Sequence, residues 1–450
     1  MGLHTALVAN VIFPLQERLK NHDTVAIRQA MDHSQWWARS ELDELRLNRL
    51  RTLLAKAGQH VPYYRDCFAR LGFDAYTITS LTDLQKLPFL TKAILRAEGD
   101  RMKSDGARDL ARFNTGGSSG EPLIFFIGKE RVSHDVAAKW RATRWWGVDI
   151  GDPEIVVWGS PIELGTQDRV RAIRDKIMRT ELLPAFEMSE SRLDDFVEQI
   201  RTTRPKMLFG YPSAISLIAR HAKKRGVMLD QLGIKVVFVT SERLYDHQRA
   251  TISEAFGCKV ANGYGGRDAG FIAHECPAGG MHITAEDIIV EIVDDQGKVQ
   301  PAGVSGEIVV THLATSDFPF IRYRTGDIGV LGTEQCNCGR GLPLLKEIQG
   351  RSTDFVIAAD GTVMHGLSLI YILRDLPGVR SFKVIQDSRQ QTRVLLVTDA
   401  SFQTPIEQII TGFKQRLGSS VDVQVDIVDA IPAEKSGKFR YIVSHATQQT

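Results

Sequence analysis

The sequence predicts an α/β protein of two domains. The larger, N-terminal one combines mixed or parallel sheets flanked by helices with an antiparallel, barrel-like layer; the smaller is a mobile α+β C-terminal domain. Three observations support this reading. At 450 residues the chain is too long for one compact core. In the middle of the chain, helical stretches alternate with short β-branched runs, the pattern of buried parallel strands. After Met281 the helices drop out, and from about Ser352 a separate pattern begins.

The first hundred residues read as a helical leader. Ser40-Glu41-Leu42-Asp43 is a variant of the capping box, and Leu42, Leu45, Leu50, Leu53 and Leu54 then follow helical spacing. VPYYR (61–65) is expected to close that region with a proline break. In the alternating part, SRLDDFVEQIRTT, SAISLIARHAKKRG and DHQRATISEAFG are helical, with Gly226 and Gly257 as their stops. MLFG, IKVVFVT and CKVANGYGG are the strands between them. IIVEIVDD, GEIVVTHL and DIGVLG are strands without helices. In the last part, a hairpin (SFKVIQDSRQQTRVLLVTDA) precedes a helix (PIEQIITGFKQRLG) and a strand (VDVQVDIVDAI). The domains are expected over 1–350 and 352–450.

Composition narrows the function classes. The chain is 43% hydrophobic and 24% charged, the average of soluble globular proteins. Its 56 basic residues against 54 acidic ones give a net charge of +2, so no footprint for nucleic acid is visible. The five cysteines are too sparse for a disulfide scaffold and point to a reducing, cytoplasmic setting. MGLHTALVANVIFPLQERLK has a short apolar patch but no preceding basic residue and no small-residue cleavage site, so it does not read as a signal peptide. Ala6 stands where a myristoylation signal needs Ser or Thr. No run approaches the ~20 apolar residues of a membrane span.

Several stretches carry chemistry. FNTGGSSGEPLIFF (113–126) holds Thr115, Gly116, Gly117, Ser118, Ser119 and Gly120, whose backbone N–H and hydroxyl groups can converge on an anion. It is not a Walker loop, because no Gly-Lys-Ser/Thr follows, and by itself it reads equally as a flexible linker. NGYGGRDAGF (262–271) ends a predicted parallel strand, where ligands of open α/β sheets collect. There Gly263, Tyr264, Gly265, Gly266 and Arg267 offer a flat ring and close backbone access, and Asp268 offers a carboxylate for Mg²⁺; the plain alternative is a tight turn. FIRYRTGD (320–327) places Arg322, Arg324 and Asp327 together, either as a ribose and phosphate contact or as an ordinary ion pair of little worth. IPAEKSGKFR (431–440) offers Lys438, and IQGRSTDF (348–355) marks the domain boundary with Arg351.

In this order the motifs resemble the adenylate-forming superfamily of acyl-CoA synthetases and adenylation domains. VPYYR, LTDLQKLPFLTK (81–92), GYPSAI and CNCGR are similar to the branch of phenylacetate–CoA ligases and their capsule-biosynthesis relatives. The resemblance implies that TGGSSG wraps the phosphates of ATP, Tyr264 lies near adenine, Asp268 near Mg²⁺ and Asp327 on the ribose. Arg351 matches the arginine after the linker, and Lys438 the catalytic lysine of a C-terminal lid. Three positions depart from the pattern: Asp268 replaces a glutamate, Glu121 a lysine, and Thr353, followed by Asp354, holds the hinge place.

The implied activity is ATP-dependent formation of an acyl-AMP with release of pyrophosphate, then transfer to CoA. A ligase acting on an amine, sugar or carrier is the alternative, and a non-catalytic nucleotide- or zinc-binding interaction protein is one of another class. The expected partners are a small carboxylic acid and an acceptor, with a homodimer left open. Trp158, Gly159, Tyr211, Pro212, Ser213, Thr240, Ser241 and Glu242, near predicted strand ends, are the candidates for the acid pocket. Cys336, Cys338 and Cys276, with either His282 or His274, make a candidate Zn²⁺ set, against the alternative of a reduced turn without metal. Cys67 and Cys258 read as small core residues.

Overall fold

The computed structural model describes residues 2–114, 123–158, 169–185, 190–351, 355–359, 363–365, 369, 372–373, 376–431 and 441–446. The chain divides into two compact units, Met1–Gln349 and Gly350–Thr450.

The first unit opens with α1 (Leu3–Leu7), which passes through a π-helical turn (Val8–Ile12) into α2 (Phe13–Leu19). Then come α3 (Thr24–Ser34), α4 (Arg39–His60) and α5 (Pro62–Leu71). The expected leucine stripe is the buried face of α4, with Leu42, Leu50, Leu53 and Leu54 inside. Its start lies earlier than the sequence suggested: Glu41 accepts the backbone N–H of Ala38 at 2.8 Å, so Ser40 is already helical. Pro62 opens α5 instead of ending a helical region, because its missing N–H has no intrahelical partner to lose in a first turn.

β1 (Ala111–Asn114) and β2 (Ile124–Ile127) pair antiparallel, and α7 (Lys129–Trp145), preceded by α6 (Lys92–Glu98), follows them. A seven-stranded sheet then runs in the order β4-β3-β5-β6-β7-β8-β9. Its members are β3 (Glu154–Trp158), β4 (Thr180–Pro184), β5 (Met207–Gly210), β6 (Val236–Thr240), β7 (Lys259–Gly266), β8 (Gly270–Glu275) and β9 (Met281–Ile283). From β4 to β7 the pairing is parallel, and β8 and β9 turn antiparallel. Every residue of β5 and β6 is buried, as apolar runs covered on both faces require. The helices Glu190–Thr203, Pro212–Lys224 and Asp246–Phe256 connect these strands, and Gly257 takes the left-handed conformation (φ 63°) at the end of the last.

β10 (Ile288–Val293), β11 (Ser305–His312), β12 (Tyr323–Leu331) and β13 (Leu345–Arg351) form the second sheet, antiparallel from β10 to β12. One core joins it to the leader: Leu53, Phe68, Phe125, Ile308, Phe320 and Tyr323 belong to a single buried cluster. Arg322, left-handed at φ 51°, holds Glu291 through two hydrogen bonds of 3.0 and 3.1 Å.

In the second unit β14 (Phe355–Ile357) pairs with β15 (Val363–His365). β16 (Val379–Ser388), β17 (Gln391–Thr398), β18 (Asp422–Ile427) and β19 (Ile442–Ser444) form a sheet in the order β18-β17-β16-β19, accompanied by the helix Ile406–Leu417. Buried Gln386 donates to the Ile357 carbonyl at 2.7 Å and accepts the Ile357 N–H at 2.9 Å, tying the hairpin to the sheet.

Candidate functional site

Parallel pairing brings the carboxyl ends of β3, β5, β6 and β7 to one edge. The register aligns Val157 with Gly210, Gly210 with Val239, and Thr240 with Gly263. Trp158, Tyr211, Thr240 and Tyr264 therefore arrive at the same edge from four strands. Trp158 and Tyr211 stack at 4.5 Å between ring centroids, an aromatic wall across neighbouring strands. Pro212 and Ser213 open the helix that follows, while Gly159 and the side chain of Ser213 lie outside the described residues. Ser241 has φ 70°, a left-handed conformation costing a non-glycine residue about 1 kcal/mol, and Glu242 follows it. A strained residue just past a strand end is where functional sites concentrate.

Glycines of the NGYGGRDAGF stretch are there for contact. A Cβ on Gly263 would meet the Phe238 ring at 2.8 Å, and one on Gly265 would meet the Gly270 carbonyl at 2.2 Å. The tight return to β8 presents Asp268 at its tip. Tyr323, fully buried in β12, donates its hydroxyl to Asp268 Oδ2 at 2.6 Å, and Asp268 Oδ1 accepts the Ala269 N–H at 3.1 Å. Beside them Tyr264 donates to Asp327 Oδ2 at 2.9 Å. Burial and the neighbouring Asp327 carboxylate hold the Tyr264 phenol well above its usual range, so it stays a donor. Two carboxylates and one aromatic face thus share this end of the sheet.

Arg131, 2% exposed on α7, supports the turn from behind. Its guanidinium donates to the Arg267 carbonyl at 3.2 Å and the Asp268 carbonyl at 3.2 Å, and pairs with Asp135 at 2.9 Å. Sequence reading missed both Arg131 and the Tyr323–Asp268 bond. Tyr323 lies inside a quoted motif, but Arg131 stands 136 residues from Arg267 with no local signal. Arg322 and Arg324 pair with Glu291 and with Glu307 (Nε–Oε2 2.7 Å), not with the following Asp327 as the strand-end reading had it, and the Arg322–Glu291 pair is buried. Arg351 ends β13; its side chain, the loop 115–120, Glu121, Thr353, Asp354 and Lys438 lie outside the described residues.

A second constellation lies at the far end of β8. Cys276, His282, Cys336 and Cys338 bring one donor atom each to within 4.8 Å of one another. Cys276 Sγ and Cys336 Sγ are 3.6 Å apart, and Cys338 Sγ is 3.2 Å from His282 Nε2. Edges of this size fit a tetrahedron with ~2.3 Å Zn–S and ~2.0 Å Zn–N bonds. Two tight turns form the cradle: the Gly279 N–H donates to the Cys276 carbonyl at 2.8 Å, and the Gly339 N–H to the Cys336 carbonyl at 3.1 Å. A Cβ on Gly280 would sit 2.5 Å from Cys336 Sγ. His282 Nδ1 meets the Leu342 carbonyl at 3.4 Å, the contact that turns Nε2 toward the sulfurs. Burial pushes His282 down to about 4, keeping the imidazole neutral as a ligand must be. His274 is buried between Phe238 and Phe271, away from the thiols, and burial pushes it down to about 3. Cys67 and Cys258 pack in hydrophobic cores, the latter pushed up to about 12 by burial.

Residues 182–315 match the AMP-binding enzyme family, and residues 356–445 match the CapK C-terminal domain. Protein CapK of Staphylococcus aureus is 23% identical over 411 residues, 90% of each chain. Phenylacetate-coenzyme A ligase of Thermus thermophilus is 28% identical over 331 residues, 71% of this chain and 72% of that one. Among solved structures, 2-hydroxyisobutyryl-CoA ligase in the postadenylation state shares the fold, with a TM-score of 0.74 at 21% identity over 92% of this chain and 91% of that one. The similarity of the chain thus lies with the adenylate-forming superfamily, on the side of the phenylacetate–CoA ligases and CapK.

Proposed function

We propose that the protein activates a carboxylic acid as acyl-AMP, releasing pyrophosphate, and then transfers the acyl group to CoA. The observation that carries this is the convergence of Asp268 and Asp327, each held by a tyrosine hydroxyl, beside the Trp158–Tyr211 wall at one sheet edge. Attack of a carboxylate on the α-phosphate brings two anions together, so positioning and charge neutralisation supply most of the catalysis. Asp327 is the group for the ribose diol and Tyr264 the face for adenine. The Trp158–Tyr211 wall takes the apolar part of the acid and excludes water from the mixed anhydride. Mg²⁺, when bound at Asp268, supplies charge neutralisation on the phosphates. Asp268 is a methylene shorter than glutamate, and the Tyr323 and Arg131 contacts fix where that shorter carboxylate stands.

The four donors Cys276, His282, Cys336 and Cys338 are a closed set suited to structural Zn²⁺, pinning the β8–β9 turn to the loop at 336–340. Strand β8 runs away from the Asp268 turn, so this set lies about 20 Å from it at ~3.4 Å per strand residue.

A second reading keeps the acyl-adenylate and transfers the acyl group to an amine, sugar or carrier; because the likeness to CapK spans 90% of each chain, against 71% of this chain for the phenylacetate–CoA ligase, both acceptor classes are tested. The test is a library of carboxylic acids scored for ATP-dependent pyrophosphate release, followed by CoA, amines or sugars as acceptors. If none of the acids elicits pyrophosphate release from folded protein, the adenylation reading fails. Lys438→Ala is expected to abolish acid-dependent pyrophosphate exchange while leaving transfer from supplied acyl-adenylate largely intact; equal loss of both steps removes the lysine's assigned role.

A further inference from the structure

The N-terminal helix carries an apolar ridge that the fold leaves uncovered. Leu3, Leu7, Val11, Leu15 and Leu19 are 93, 51, 55, 57 and 76% exposed, while Thr5, Val8, Ala9 and Phe13 on the other face are buried. A spacing of four residues overshoots an α-helical turn by about 40° at each step, so such a ridge would wrap around a regular helix. The π-helical turn Val8–Ile12 holds more residues per turn and offsets that drift. The result is a ridge about 24 Å long at 1.5 Å per residue. A second helix, Arg169–Met178, extends it. Met178 packs against the Ala9–Phe13 cluster, His4 Nε2 meets the Ile177 carbonyl at 3.0 Å, and Ile177 and Ile173, one turn apart, are 38 and 61% exposed.

Among the described residues of the two helices and their ends, exposed cations outnumber exposed acids, of which Asp23 is one. Arg18 and Lys20 are exposed on the N-terminal helix and its end, and Lys176 and Arg179 lie beside Ile177. Glu17, the acid of that first helix, is buried beneath Lys20, His22 and Thr24. Asp175, in the second helix, is paired with Arg174. A two-fold dimer through this ridge would place the same patch on both sides, setting basic rim against basic rim. An anionic partner complements it instead. Large aliphatic side chains standing proud, with cations at the edge, are the form of an interfacial helix lying in a lipid headgroup layer.

We infer that the Leu3–Leu19 ridge is a peripheral membrane-docking surface that inserts its aliphatic side chains into a bilayer containing anionic lipid. This places no segment across the membrane; among the described residues no helix is long and apolar enough to cross one. The inference is independent of the reaction assigned above.

The test is co-sedimentation of the full chain with vesicles of phosphatidylglycerol and phosphatidylcholine, and with vesicles of phosphatidylcholine alone. Binding is expected to the mixed vesicles, to weaken with salt, and to fall at least tenfold in Leu7→Glu/Leu15→Glu. Arg18→Gln/Lys20→Gln should lower it several-fold. Thermal melting verifies that each variant is folded, and Leu7→Gln/Leu15→Gln replaces the glutamate pair if that pair fails to fold. Absence of binding, or binding unchanged by the leucine variants, overturns the inference. So does a dimer in light scattering that the leucine variants convert to monomer, because the ridge is then covered by a second copy.

Discussion

The Tyr323 hydroxyl reaches across from the second sheet to donate to Asp268 Oδ2 at 2.6 Å, joining β12 to the turn between β7 and β8, 55 positions away. The ring is fixed by an edge contact to Phe320 at 5.3 Å, so the hydroxyl, not the packing, is what Tyr323→Phe removes. That variant is expected to fold, to lose about 1 kcal/mol of stability, and to lower acid-dependent pyrophosphate exchange about tenfold. Asp268→Asn should lower it by about two orders of magnitude, the scale of losing one electrostatic stabiliser. Exchange rates at saturating ATP and Mg²⁺ decide; an Asp268→Asn enzyme of wild-type rate refutes the metal role.

Tyr264 and Asp327 form the companion pair at 2.9 Å. Because a hydrogen bond to a charged group is worth about 1.5–3 kcal/mol, Asp327→Asn is expected to raise the KM for ATP about ten- to a hundredfold. Tyr264→Phe should give a smaller rise, since the ring remains. Steady-state kinetics with varied ATP check this, and a change in kcat alone contradicts ribose binding.

The cysteine–histidine set makes a separable prediction. Purified protein should carry a single tightly held zinc per chain, and Cys338→Ser should lose it with a fall in thermal midpoint, because structural zinc binding is folding free energy. Elemental analysis and melting with and without chelator are the measurements. Metal-free protein melting at the same temperature as protein prepared with zinc leaves the four residues as a reduced thiol pocket.

His134 and Asp287 give stability a pH dependence. Burial pushes the imidazole down, but Asp287 at 2.7 Å outweighs it and holds His134 above its usual 6.5. A raised folded-state value means the contribution is fully present below about pH 6.5 and is lost as pH rises through the raised value. Urea unfolding of wild type and His134→Gln is therefore expected to show a larger stability gap at about pH 6 than at about pH 9. A gap that is constant or grows with pH contradicts the pairing.

The sequence alone determined what depends on neighbours along the chain. Helical leucine spacing, β-branched runs and the stops at Gly226 and Gly257 act within a turn or a strand, and they predicted the mixed fold that the structure has. Gly263 and Gly265 stand out in the sequence because their close backbone approach leaves no room for a side chain whatever surrounds it. Capping at Ala38 and helix initiation at Pro62 were misjudged by a few residues, since alternative caps differ by about a kilocalorie per mole or less.

Only the tertiary structure decided the pairings. His274 and His282 face each other in the β8–β9 register and both stood as candidates for the histidine ligand, yet one is enclosed by aromatic rings and the other meets the thiols. Tyr323 with Asp268, Tyr264 with Asp327 and Arg131 with the Asp268 carbonyl bridge 55, 63 and 137 positions. The apolar patch noted at the N-terminus is likewise a ridge only because the fold buries one face of its helix and leaves the other bare. Spacing along a chain constrains only what a helix turn or strand repeat brings together; which distant side chains meet is set by how sheets pack and which faces they cover.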